Sequence, residues 1–258
     1  DVTAPSPGAE VVSIASTTSA FAVLKADGSV SAWGDAAYGG SNVPSDVTTP
    51  FAGAEVVSIA STWYAFAALK ANGSVSAWDN ADSGGSNVPT DVTAPSLGAE
   101  VVSIASTNHA FAVLKADGSV SAWGDAGYGS SGVPTDVTTP SEGVDVVSIA
   151  STGFAFAVLK ADGSVSAWGG ASYGGSGVPS DVTAPSVGAE VVSIASTGFA
   201  FAVLKADGSV SAWGNANSGG SGVPTDVTAP SAGAEVVFIA SNPYAFAVLK
   251  ADGSVSAW

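Results

Sequence analysis

Short apolar runs, separated by polar and Gly-rich breaks, recur along the whole chain, and the first of them read as three strands. Glu10-Val-Val-Ser-Ile-Ala-Ser16 is rich in β-branched residues and runs into turn-forming Thr and Ser, which predicts a strand over 10–16. Ala20-Phe-Ala-Val-Leu-Lys25 is apolar on both alternating faces, as expected of a strand covered from both sides. Asp27-Gly28 predicts a type I′ hairpin with positive φ at both central residues, leading into a third strand, Ser29–Trp33. The second copy writes Asn72-Gly73 at the same place, and Asn tolerates that geometry too. After a Gly- and Ser-rich loop, Asn42-Val-Pro-Ser-Asp-Val-Thr48 is expected to run as an outer return strand, which Pro44 confines to an edge. Nothing in this pattern has a helical period.

The pattern then repeats. Asp1, Asp46, Asp91, Asp136, Asp181 and Asp226 each open Asp-Val-Thr-(Ala/Thr)-Pro, always 45 residues apart. The copies are 1–45, 46–90, 91–135, 136–180, 181–225 and 226–258. One such unit cannot bury its own apolar faces and must stack on its neighbours, so a period of this length reads as a propeller or solenoid. The expectation is an all-β protein forming one domain over 1–258: a six-bladed β-propeller, with three core antiparallel strands and an outer return segment per blade. A linear solenoid would need polar-faced end copies, and here the end copies look like the middle ones, which favours ring closure or membership of a longer array. In a closed ring, Asp1-Val2-Thr3 aligns with Asp46-Val47-Thr48 and would complete the outer strand of the sixth copy.

Three pieces of each copy, Val11-Val-Ser-Ile-Ala-Ser, Leu24-Lys-Ala-Asp-Gly-Ser-Val-Ser-Ala-Trp-Gly34 and Tyr38-Gly39, resemble the repeat of the regulator of chromosome condensation propeller family. The fuller pattern, with Trp-Gly, a Gly loop, Val-Pro, Val-x-x-Ile-Ala and Ala-x-x-Leu-Lys, looks closest to the bacterial propellers that inhibit β-lactamases. The resemblance spans the whole chain. It implies the propeller fold, and it implies that aromatic residues of the loops touch a target protein. Eukaryotic members often carry His after the aromatic at the start of the second strand. Here that column reads Ala20, Ala65, Ala110, Ala155, Ala200 and Ala245, so nucleotide exchange and chromatin binding are not carried over. Those relatives also have seven blades, against six copies in this chain.

Because the strands alternate in direction, the loop between the first and second strands shares one end of each blade with the loop after the third. At that end the copies differ. One column reads Ser19, Tyr64, His109, Phe154, Phe199, Tyr244, and the residue before it reads Thr18, Trp63, Asn108, Gly153, Gly198, Pro243. In the loop after the third strand the columns are Ala37, Asp82, Gly127, Ser172, Asn217 and Tyr38, Ser83, Tyr128, Tyr173, Ser218. A structural position should hold one residue type six times, as Trp33, Trp78, Trp123, Trp168, Trp213 and Trp258 do. The irregular aromatics therefore nominate Trp63, Tyr64, His109, Phe154, Phe199, Tyr244, Tyr38, Tyr128 and Tyr173 as partner-binding residues on a loop face. The competing reading packs these rings against the neighbouring blade's loop, as part of the rim of the core.

Composition narrows the partner. Twenty-two acids against six lysines and no arginine give a formal charge of −16, which argues against nucleic acid. The lysines Lys25, Lys70, Lys115, Lys160, Lys205 and Lys250 fill one column, which points to a structural role. Apolar runs are too short to span a membrane. With no cysteine and one histidine, neither a metal cluster nor a Ser-His-Asp arrangement is expected, and no cofactor is implied. Gly127-Tyr-Gly-Ser-Ser-Gly132 matches a dinucleotide fingerprint only literally, since it leads to Val133-Pro134 and not to a helix. The expectation is a non-enzymatic module that offers an aromatic, acidic loop face to a protein partner, in an inhibitor-like or receptor-like role. A structural or adhesive segment of a larger surface protein, and a carbohydrate-binding propeller using Trp63 and the loop tyrosines, are the alternatives. A chain free of Cys and Met and poor in Lys suits an extracellular or cell-surface location.

Overall fold

A computed structural model of the protein describes residues 8–258, which fall into two compact units, one ending at Ala126 and the other spanning Gly127–Trp258. The first unit holds β1 (Val11–Ser16), β2 (Ala20–Lys25) and β3 (Val30–Gly34), then β4 (Val56–Ser61), β5 (Ala65–Lys70) and β6 (Val75–Asp79), then β7 (Val101–Ser106), β8 (Ala110–Lys115) and β9 (Val120–Gly124). The second repeats the pattern with β10 (Val146–Ser151), β11 (Ala155–Lys160), β12 (Val165–Gly169), β13 (Val191–Ser196), β14 (Ala200–Lys205), β15 (Val210–Gly214), β16 (Val236–Ser241), β17 (Phe246–Lys250) and β18 (Val255–Ala257). Each copy forms its own three-stranded antiparallel sheet in chain order, so six copies make six blades. The three core strands lie within a residue of their predicted places in the first copy. Residues 1–3, expected to complete the sixth copy, lie outside the described residues.

Two local expectations are corrected. The Asp-Gly turn is not type I′. Among residues 26–28 only Gly28 has positive φ (77°), Gly28 N–H donates to Lys25 C=O (2.9 Å) and Lys25 N–H to Ser29 C=O (2.9 Å). This is a three-residue hairpin, a type I turn closed by a left-handed glycine. Asp27 serves as an acceptor: its Oδ1 takes the Ser29 N–H at 2.9 Å, and Asn72 Oδ1 takes the Ser74 N–H at 3.0 Å. That shared acceptor, and not a shared tolerance of positive φ, is why Asp and Asn alternate in this column.

The outer return segment is not a strand. It forms one helical turn in each linker: α1 (Ser45–Thr48), α2 (Thr90–Thr93), α3 (Thr135–Thr138), α4 (Ser180–Thr183) and α5 (Thr225–Thr228). Pro44 starts the turn because its fixed φ (−57°) suits a helix entry, where a missing N–H costs nothing, and its C=O accepts from Val47 and Thr48. Pro50 lies too close behind for the helix to continue. The turn buries Val47 and aims Asp46 at the sheet, where Lys70 Nζ donates to Asp46 Oδ2 at 2.6 Å and Ser76 Oγ donates to the same oxygen at 2.6 Å. The pairs Lys115–Asp91, Lys160–Asp136, Lys205–Asp181 and Lys250–Asp226 repeat this at 2.5–2.8 Å. Five of the six lysines thus hold a structural ion pair, as the regularity of the column suggested, while Lys25 Nζ donates to Ser29 Oγ at 3.2 Å.

Blades pack through a junction that recurs twice in each unit. At the second one, Ala65, Ala67, Leu69, Val75 and Val92 of one blade cover Val101, Phe111, Val113 and Trp123 of the next. The equivalent residues of β11, β12 and α4 cover Val191, Phe201, Val203 and Trp213. Alanines on the covering face let the sheets approach closely, and the aromatic pair fills the gap. Phe111 stacks on Trp123 at 5.2 Å, and Trp123 Nε1–H donates to Gly84 C=O at 2.8 Å. Gly84 sits against that ring, where an added Cβ would lie 2.7 Å from Phe111 Cδ2. The tryptophan column is core in the interior copies, but in the first copy Trp33 is 42% exposed.

Candidate binding face

The loop ends are built on a buried threonine. Thr62 Oγ1 accepts the Ala65 N–H at 3.1 Å and donates to Ser83 C=O at 3.0 Å, which ties the loop before β5 to the loop after β6. Thr17, Thr152 and Thr197 do the same against the carbonyls of Tyr38, Tyr173 and Ser218 at 2.8–3.2 Å. The two variable loops of a blade therefore share one end, as the strand directions require.

The position of Trp63 carries a second backbone device. Thr18 N–H donates to Trp63 C=O (3.0 Å) and Trp63 N–H to Asn108 C=O (2.9 Å). In the second unit Gly153 N–H donates to Gly198 C=O and Gly198 N–H to Pro243 C=O, at 2.9 and 3.0 Å. The main chain makes the bond in each of these cases, with Thr18 Oγ1 adding a second donor to Trp63 C=O at 2.9 Å, so the side chain at this position can vary among Thr, Trp, Asn, Gly and Pro.

The nine nominated residues gather into one cluster in each unit. In the first, Tyr38 meets Tyr64 (5.0 Å between ring centroids), Tyr64 meets His109 (5.1 Å), and Trp63 stands edge-on to both Tyr64 (6.3 Å) and His109 (5.4 Å). Ser83 Oγ lies 2.9 Å from His109 Nδ1. Burial lowers the His109 pKa below the ordinary imidazole value, against a smaller opposing pull from Asp125, which favours the neutral ring. In the second unit the rings form a ladder. Phe154 stacks on Tyr128 (5.0 Å), Tyr173 (4.4 Å) and Phe199 (5.7 Å), and Phe199 stacks on Tyr244 (5.9 Å). Most of these rings are half-buried against one another. Trp63 (44%) and Tyr244 (64%) are the open members of their clusters.

Asp79 adds a strained acid to the first cluster's loops. Its counterparts Gly34, Gly124, Gly169 and Gly214 all have positive φ, and Asp79 is held at φ 84° with its carboxylate accepting the Gly39 N–H. Burial pushes its pKa up, the Gly39 N–H pulls it down, and the Asp35 charge adds to the rise. Among the described residues no group of three or more His, Cys, Asp or Glu is placed to hold a metal ion. No helix among them is long and apolar enough to cross a membrane.

Residues at the opposite end of the blades escaped the sequence reading. Phe51, Leu97 and Val187 stand at the tips of the tight turns before β4, β7 and β13 and are exposed over most or all of their surface. Leu97 and Val187 share a column with Ala52, Glu142 and Ala232 that changes from copy to copy like that of Tyr64, and Phe51 stands one place earlier in a column otherwise held by Ser, so comparison of all columns would have shown that variation is not confined to one face.

No protein-family model matches the sequence, and no curated protein is matched by sequence. Solved structures do match. Yeast RCC1 (Prp20), bound to Kap60, superposes with a TM-score of 0.58 at 19% identity over 98% of this chain and 71% of that one. Human WBSCR16 gives 0.56 at 20% identity, over 96% of this chain and 76% of that one. The fold is that of an RCC1-like β-propeller. The ectodomain of the Physcomitrella patens receptor kinase CR4 matches at 0.53 and 18% identity over 96% of this chain, which spans only 61% of that ectodomain.

Proposed function

We propose that this RCC1-like chain is a non-enzymatic binding module whose variable loop end docks a protein partner. The observation that carries the reading is the gathering of irregular aromatic columns into contiguous, half-exposed clusters at positions the fold leaves free. The same loop is built around Ser19 in the first copy and Phe154 in the fourth, so the rings answer a need other than folding. Tyr and Trp supply large contact areas at low entropic cost, which suits anchor residues of an interface. Structural neighbours are described with protein partners: yeast RCC1 (Prp20) is seen bound to Kap60, and Prp20p is described with binding to Gsp1p and histones. An extracellular or surface location and an inhibitor-like role belong to the same proposal.

The test is affinity capture with immobilised wild-type chain and a Tyr64→Ala/Phe154→Ala/Phe199→Ala variant, against secreted and surface extracts and a panel of β-lactamases. Thermal melts of both chains run alongside. The proposal expects a protein retained by the wild type and lost from a folded triple variant. Equal retention by both, or retention of glycans and no protein, overturns it. If the variant unfolds, Trp63→Ala and Tyr244→Ala, which truncate the most exposed rings, replace it.

A further inference from the structure

Charge at the loop end is confined to one unit. In the first unit Asp35, Asp79, Asp82 and Asp125 stand at the end of β6 or in the loops after β3, β6 and β9. The same three columns in the second unit hold Gly169, Gly170 and Ser172, then Gly214, Asn215 and Asn217, with no acid among them. The fold therefore does not ask for the carboxylates. Asp35 Oδ1 accepts the Ala37 N–H at 2.8 Å, and Asn215 Oδ1 accepts the Asn217 N–H at 2.9 Å in the equivalent turn. Nor is the charge balanced locally. The strands β2, β5 and β8, which start at this end, carry their lysines at the other, where Asp46 and Asp91 hold Lys70 and Lys115 and Ser29 holds Lys25. The chain has no arginine.

These acids accompany the aromatic cluster of the same unit. Burial and, beyond it, the charge of nearby Asp35 push the Asp79 pKa up, and Asp79 accepts the Gly39 N–H beside Tyr38. Asp125 acts on His109 through its charge, and Asp82 precedes Ser83, whose hydroxyl meets the same imidazole. Trp63, 44% exposed and edge-on to Tyr64 and His109, is the open ring of the cluster. We propose, on the basis of the docking reading above, that the loop end of the first unit takes a basic segment of the protein partner. An arginine or lysine side chain of that segment rests on Trp63 with the four carboxylates about it. A cation is favoured twice, by the negative face of the indole and by acids that have no cation of their own at this end. The uncharged ladder of Phe154, Phe199 and Tyr244 in the second unit offers the partner apolar contact without that preference.

The experiment is a heteronuclear NMR titration of the full chain with a capped hexapeptide carrying two arginines among glycine and serine, and with the same peptide carrying citrulline. Citrulline keeps the shape and removes the charge. The arginine peptide is expected to shift the Trp63 indole N–H, assigned with Trp63→Phe, and the ring signals of His109, the only histidine, while the Phe199 and Tyr244 amides stay in place. Citrulline, and an Asp35→Asn/Asp82→Asn/Asp125→Asn variant, each weaken binding by about tenfold or more, and added salt weakens it too. Equal binding of the two peptides, unchanged affinity in the asparagine variant, or no shift at Trp63 and His109 overturns the inference. Any of these leaves the docking reading standing if affinity capture still returns a protein that the Tyr64→Ala/Phe154→Ala/Phe199→Ala variant loses, so the two fail separately. Should the asparagine variant misfold, Asp82→Asn alone, at an exposed side chain, takes its place under the same criteria.

Discussion

The tryptophan column offers a controlled comparison, because one residue type in one local sequence occupies two environments. Trp123 is 3% exposed, stacked on Phe111 and bonded to the Gly84 carbonyl, whereas Trp33 is 42% exposed. Truncating Trp123 to Ala removes about 200 Å² of buried apolar surface, an upper bound of roughly 5 kcal/mol. Large-to-small changes of this kind cost about 3–5 kcal/mol once partial collapse is allowed. Removing the indole N–H from the Gly84 carbonyl places the value toward the upper end of that range. Trp33→Ala surrenders about half as much burial and is expected to cost about 2 kcal/mol. Trp123→Phe keeps most of the ring and loses the hydrogen bond, at about 1–2 kcal/mol. Urea unfolding followed by far-ultraviolet circular dichroism ranks the three. Equal losses for Trp123→Ala and Trp33→Ala would refute the argument, since burial and the bond to Gly84 are the inputs that distinguish them.

Two other outcomes follow from the charged groups. Burial raises the pKa of Asp136, but hydrogen bonds from Lys160 and Ser166 and the Lys160 charge outweigh it, so the carboxyl is held below its ordinary value. A carboxyl depressed in the folded state adds stability that is present above its unfolded pKa of about 3.9 and lost as pH falls through the folded value. Urea midpoints of the wild type should therefore exceed those of Asp136→Asn at neutral pH and converge with them in acid, and a gap that widened in acid would contradict the sign. Asp79→Gly is expected to raise the unfolding free energy by about 0.5–1 kcal/mol, and the urea midpoint with it, because glycine occupies left-handed φ without a Cβ penalty. A lowered midpoint would show that the Asp79 bond to the Gly39 N–H outweighs the backbone strain.

Strand positions, the repeat and the lysine and tryptophan columns were legible because each is written as a repeated residue type on a repeated period. What failed to show was set by single atoms and by context. Asp27-Gly28 marks a hairpin in any case, but only the hydrogen-bond pattern separates a type I′ turn from a type I turn closed by Gly28. Pro44 reads equally as an edge-strand residue and as a helix entry, and the choice falls to the helix because Asp46 must reach Lys70. The aromatic columns were legible as a departure from periodicity. Their packing was not: the stacking of Phe154 on three rings depends on how neighbouring loops approach, so Phe154 and Tyr244, alike in sequence, differ in exposure.

Partners that join one blade to the next lie close in the chain. Trp78 reaches back 39 residues to Gly39, Lys70 reaches back 24 to Asp46, and the widest of these bonds, Thr18 to Trp63, spans a single period of 45. Loop closure then costs the same at every step and does not grow with the length of the protein. The direction matters too. When Trp78 or Trp123 leaves the ribosome, the glycine that caps it has already been synthesised 39 residues earlier, so each new blade settles on a surface made less than one repeat before it, and the growing end serves as template for the next addition.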